Sequence, residues 1–105
     1  MIARVWRAVA TVESAARYVA YFAAELQPQL EAMDGFRHGQ IMTRPMTERE
    51  ADRIELVVIT NWKDMDTIAR FAGAHINVAV VEPEALAMLL EADVTVRHYE
   101  VAFER

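Results

Sequence analysis

Apolar and polar positions along this chain alternate in two different rhythms. Residues 2–9, I-A-R-V-W-R-A-V, and 53–62, R-I-E-L-V-V-I-T-N-W, are rich in β-branched and aromatic types and predict strands. The middle of the second run is apolar on both parities, which predicts cover on both sheet faces. Between them Ala16, Val19, Ala23, Leu26, Leu30 and Met33 recur at intervals of 3, 4, 3, 4 and 3, a helical stripe that Thr11 or Ser14 would cap. Pro28 removes a backbone donor and predicts a kink or break near Gln27. Asp34-Gly35 predicts a turn, 36–44 a second strand, and 45–52 an exposed hairpin loop. Asp64 caps a predicted helix that runs to about Ala72 and ends at Gly73, and Pro83 opens another helical segment. V-T-V-R-H-Y-E-V-A-F, 94–103, predicts the last strand.

The order β-α-β-β-α-(α)-β is the split pattern of a ferredoxin-like α+β fold, with a four-stranded antiparallel sheet and helices on one face. The other face needs cover, and sheet against sheet in a homodimer supplies it. A length of 105 residues leaves room for one hydrophobic core, so 1–105 is read as a single domain. The hydrophobic share of 54% lies above the roughly 45–50% of ordinary soluble domains, which points to a pocket or a self-interface.

Charge and cysteine content remove several functions. A net charge of −5 argues against a nucleic-acid partner, because phosphate binding needs a basic field. With no long uncharged run the chain predicts neither a signal peptide nor a membrane span, and with no cysteine it predicts a cytoplasmic protein without disulfides or thiolate metal sites. The three histidines are far apart and form no zinc motif. Scattered glycines build no phosphate cradle, and no serine sits in a G-x-S-x-G elbow. An apolar pocket with a few polar groups remains, the usual form of a small-molecule site.

M-I-A-R-V-W at the start, I-T-N-W-K-D-M-D-T-I-A-R-F-A-G at 59–73 and V-R-H-Y-E-V near the end resemble the antibiotic biosynthesis monooxygenase family, over nearly the whole chain. That resemblance implies a small dimeric α/β-barrel protein. In the family's quinone-forming branch, phenols are oxidised by oxygen in an apolar cleft without metal or flavin, and asparagine, tryptophan and tyrosine side chains hold the substrate. Asn61, Trp62 and Tyr99 are the matching types here. The heme-degrading branch uses a first-strand asparagine, a second-helix tryptophan and a histidine just beyond. This chain has no asparagine before Asn61, Phe71 stands at the helix tryptophan position, and His75 falls early. The resemblance thus implies a cofactor-free monooxygenase for a small aromatic or quinol substrate. A ligand-binding protein without a reaction, or a heme-binding relative, are the alternatives.

Asn61, Trp62 and His75 are therefore the catalytic candidates, and Arg4, Phe71, His98 and Tyr99 the substrate-binding ones. Strand alternation sets limits on them, since neighbours point to opposite faces. Asn61 and Trp62 cannot share a pocket in a regular strand, and neither can His98 and Tyr99. Trp62 shares its parity with Ile54, Leu56 and Val58, which predicts packing. His75, just past Gly73, has a structural reading at the helix C-terminus. Arg4 and Arg7 sit in an apolar strand and must reach solvent or a partner, and one of them is expected to face the cleft and meet an anionic group.

Overall fold

A computed structural model describes all residues, Met1–Arg105. Strand β1 (Ile2–Thr11) leads through Thr11, whose side chain accepts from Ser14 N–H, into helix α1 (Val12–Tyr21). A π-helical turn, Phe22–Leu26, links α1 to α2 (Gln27–Glu31), and Pro28 sits in the first turn of α2. Strands β2 (Phe36–Pro45) and β3 (Arg53–Trp62) form a hairpin. Helix α3 (Met65–Ala72) opens on a capping box in which the Asp64 carboxylate and the Thr67 N–H and hydroxyl satisfy each other's backbone. A single turn, α4 (Pro83–Leu86), precedes β4 (Glu91–Ala92) and β5 (Arg97–Glu100).

The sheet is antiparallel throughout, ordered β2-β3-β1, and β4 and β5 both lie along the outer edge of β1. This is the ferredoxin-like arrangement, with the first strand in the middle. Two expected boundaries shift. The run 94–103 does not pair as one strand, because Val94–Val96 leaves the β1 edge and bonds to the 77–79 segment instead. Only Arg97–Glu100 pairs with β1, opposite Ile2–Val5.

The helix stripe is also out of phase by one residue. Ala15, Tyr18, Phe22 and Leu30 are buried, whereas Ala16, Val19 and Ala23 are exposed. The buried intervals of 3, 4 and 8 keep these residues on one helical face, and the π turn Phe22–Leu26 lies between Phe22 and Leu30. The core lies between this helical layer and the inner sheet face, where Trp6, Ala8 and Ala10 of β1 alternate with Leu56, Val58 and Trp62 of β3. The opposite face carries Val5, Arg7, Val57 and Ile59, none of them fully buried. No helix is long and apolar enough to cross a membrane.

Candidate active site in the sheet–helix cleft

Alternation along β1, β3 and β5 sorts the candidate residues between two faces. Asn61 points to the bare face, where its Nδ2 donates to His38 Nε2 on the neighbouring strand at 3.1 Å. Tyr99 lies on that face too and is 52% exposed. Alongside, the Glu55 carboxylate takes Arg7 Nε on one oxygen and Arg44 Nε on the other, and this pairing holds its pKa below the usual carboxylate range. His75 is exposed in the turn after α3, with its carbonyl accepting from Val78 N–H. Asn61 and His75 thus do not meet Trp62. The first is turned away by strand parity and the second is held in a surface turn.

The inner face holds a cleft of about 110 Å³ between sheet and helices, lined mainly by apolar residues. Trp6, Tyr18, Phe22 and Phe71 present rings to it, Val58 and Val96 form its floor, and Gln29, Met33, Val80 and Glu82 border its exposed mouth. The volume approaches the roughly 150 Å³ cavity known to hold benzene, so a single ring is the natural scale of occupant. Trp62 itself does not line the cleft. It is 0% exposed, meets Phe36 edge-on at 5.3 Å, donates Nε1–H to Thr60 Oγ1 at 2.9 Å and stacks on Phe71 at 5.3 Å. Its influence on the cleft passes through two lining residues, Thr60 and Phe71, and the Phe71 ring also lies 5.7 Å from the Arg4 guanidinium.

Arg4 is the buried charged residue of the cleft, 5% exposed. Nη1 donates to the Ile76 carbonyl at 2.7 Å and to His98 Nε2 at 2.9 Å, and Nη2 donates to the Val78 carbonyl at 2.9 Å. It forms no ion pair with any carboxylate. Burial lowers its pKa, as expected for a desolvated cation. His98 reaches this cluster because it sits opposite Arg4 in the β1–β5 register. Burial, and then the Arg4 charge, depress its pKa below 6.5, so it stays neutral and keeps a lone pair for Nη1.

A folded-state histidine pKa below the unfolded value means that the unfolded chain binds the extra proton first. Stability is therefore at its full value above pH 6.5 and falls as pH drops from there toward the depressed value. Urea midpoints measured across that window should fall toward acid in the wild type, and fall less in His98→Gln.

Tyr18 is the residue that sequence reasoning missed. It is 3% exposed, lines the cleft, and its hydroxyl takes no protein partner. Burial, with Tyr21 nearby, pushes its pKa strongly upward, so the hydroxyl stays protonated as a donor. The signal was present in the aromatic pair Tyr18 and Phe22, four apart on one helix face. It was hidden because alanines at neighbouring positions make an equally regular stripe.

Heme, the alternative cofactor, does not fit this cleft. None of the lining residues is a histidine, and 110 Å³ is well under the roughly 300–1,000 Å³ of ordinary ligand pockets. The one histidine nearby, His98, already spends Nε2 on Arg4. No three His, Asp or Glu side chains cluster anywhere as a metal site.

Fold and cleft together define a ferredoxin-like α+β protein with a small, mainly apolar cleft between its sheet and helices. No family model matches the sequence, and neither does any curated protein. Solved structures do match its fold. A Bacillus cereus protein provisionally named an antibiotic biosynthesis monooxygenase has a TM-score of 0.67 at 14% identity, covering 99% of this chain and 93% of its own. A second antibiotic biosynthesis monooxygenase has a TM-score of 0.62 at 14% identity, over 97% of this chain and 99% of its own. The heme-degrader MhuD from Mycobacterium tuberculosis, with two hemes in its active site, has a TM-score of 0.56 at 16% identity, over 100% and 99%. At these identities the shared property is the fold, which hosts more than one chemistry.

Proposed function

We propose that this protein is a monooxygenase of the antibiotic biosynthesis type, oxidising a small phenolic or quinol ring with molecular oxygen and without metal or flavin. The observation that carries this reading is the ring-lined apolar cleft, with the free Tyr18 hydroxyl inside it, on the fold of proteins bearing that name. Oxygen adds to a ring carbon that bears hydrogen, forming a C–O bond and a hydroperoxide. The O–O bond then breaks, one oxygen remaining as a carbonyl and the other leaving as water with the ring and phenol hydrogens. Trp6 and Phe71 flank the ring, and Tyr18 donates to the departing oxygen. Asn61 and His75 take no direct part, and Trp62 serves by supporting Phe71.

Oxygen uptake with a panel of phenols and hydroquinones, in chelator-treated buffer, tests this. Uptake with quinone formation is expected, and Tyr18→Phe should lower kcat by about 100-fold, the low end for a positioned proton donor. No uptake across the panel would overturn the reading and leave a ligand-binding protein.

The protein acts as a homodimer in this proposal, closed over the bare sheet face. Val5, Val57, Ile59 and the exposed Met42 and Tyr99 give that face its apolar character, while Arg7, Glu55 and Arg44 neutralise most of their own charge there. Light scattering should return twice the chain mass, and Ile59→Lys should return it once.

A further inference from the structure

The cleft holds a cation that nothing in the protein neutralises. An arginine presents five N–H donors. At Arg4 three are used, two on backbone carbonyls and one on the neutral His98, which leaves Nε–H and one Nη2–H. No fully buried side-chain nitrogen or oxygen lacks a partner, so the unpaired Nε–H and the Tyr18 hydroxyl keep accessible surface, and both residues line the cleft. Desolvated charges are costly unless they are paired, and the pairs found at Arg4 are neutral groups. The bonds to Ile76 and Val78 fix the guanidinium plane while leaving its charge uncompensated. A planar, oriented guanidinium with free donors is a receptor for an oxyanion.

The mouth has the opposite sign. Glu82 and Gln29 border both the cleft and an adjoining surface hollow that Glu25 and Glu84 also line. The nearby Tyr21 pKa is raised by burial and by Glu84, Glu82 and Glu25, which marks a negative field at that rim. A ligand is therefore favoured with one anionic group inside and no second one outside.

We propose that the cleft binds a small aromatic monoanion, with its oxyanion on Arg4 and Tyr18 and its ring among Trp6, Phe22 and Phe71. This rests on the proposed function only for the place of binding. It is silent on whether oxygen then reacts, and it makes Arg4 a binding residue that phenol chemistry alone does not require. The oxyanion is a phenolate or a carboxylate, and the two share the same recognition.

Calorimetry on the full chain under anaerobic conditions separates binding from turnover. Benzoate should bind roughly ten- to hundredfold more tightly than benzamide or benzyl alcohol, the range of a hydrogen bond to a charged group. Terephthalate, with its second carboxylate at the acidic rim, should bind more weakly than benzoate. 4-Nitrophenol should bind more tightly as pH rises through its own pKa if phenolates are taken. A benzoate preference without that rise assigns the site to carboxylates, and either result supports the oxyanion. Arg4→Met should erase the preference for benzoate while retaining benzyl alcohol, and Arg4→Lys should keep part of it. Since Arg4→Met could fail to fold, the wild-type comparisons stand alone. Equal or tighter binding of the neutral probes, with no dependence on the ionisation of 4-nitrophenol, would overturn the proposal even if oxygen uptake had been observed.

Discussion

Replacing Trp62 with alanine should lower the unfolding free energy by about 3–5 kcal/mol, the usual cost of deleting a fully buried large aromatic. Trp62 has no exposed surface, and its ring is held between Phe36 and Phe71 with its N–H on Thr60. Deletion would leave a cavity and strand the Thr60 hydroxyl beside it, and Phe71 would lose the surface that fixes its angle to the cleft. Urea denaturation measures the loss. The informative companion is Trp62→Phe, which keeps a ring against Phe71. It should recover most of the stability and leave turnover near wild type, because Trp62 touches the cleft only through its neighbours Phe71 and Thr60. A folded Trp62→Phe protein without turnover would show that the indole reaches the reacting atoms.

Gly35→Ala should cost about 2–5 kcal/mol, the sum of backbone strain and overpacking. Gly35 has φ of +88°, in the region that side chains avoid, and an added methyl would overlap the Thr67 side chain. Thr67 cannot readily yield, since its N–H and hydroxyl complete the cap of α3 with Asp64. The Gly35 carbonyl also accepts from Lys63 N–H at 2.7 Å, so the turn before β2 is tied to the end of β3. Thermal unfolding should show a lower midpoint, together with loss of α3 protection in hydrogen exchange.

Most of the architecture was legible because the strands carry strong signals. Residues 53–62 were bounded correctly by their apolar run, and Asp64 and Gly73 marked the ends of α3. Strand parity alone separates Asn61 from Trp62. The first helix was misphased because Ala16, Val19 and Ala23 mimic a stripe, whereas burial follows the larger Tyr18 and Phe22 and is carried past the π turn. The last strand was read too long because Val94–Val96 is β-rich yet pairs with a loop. At the site, Arg4 was recognisable as a charge in an apolar strand. Its partners were not, because Ile76 and Val78 lie in a segment without periodicity and contribute only carbonyls.

The central place of β1 has a kinetic consequence. Ile2 pairs with both Trp62 and Glu100, and Arg4 bonds to groups 72, 74 and 94 residues away. Such separations demand closure of nearly the whole chain before they are rewarded, which slows folding. The β2–β3 hairpin can form early from local contacts, and β1 can join it once β3 exists. The far edge of β1 must then wait for Arg97–Glu100, which follows every other strand along the chain. Until it arrives, the nascent protein shows an open strand edge and a guanidinium without His98. The Arg4 cluster of the cleft is thus completed only when β5 docks, and it is the first feature lost if β5 detaches.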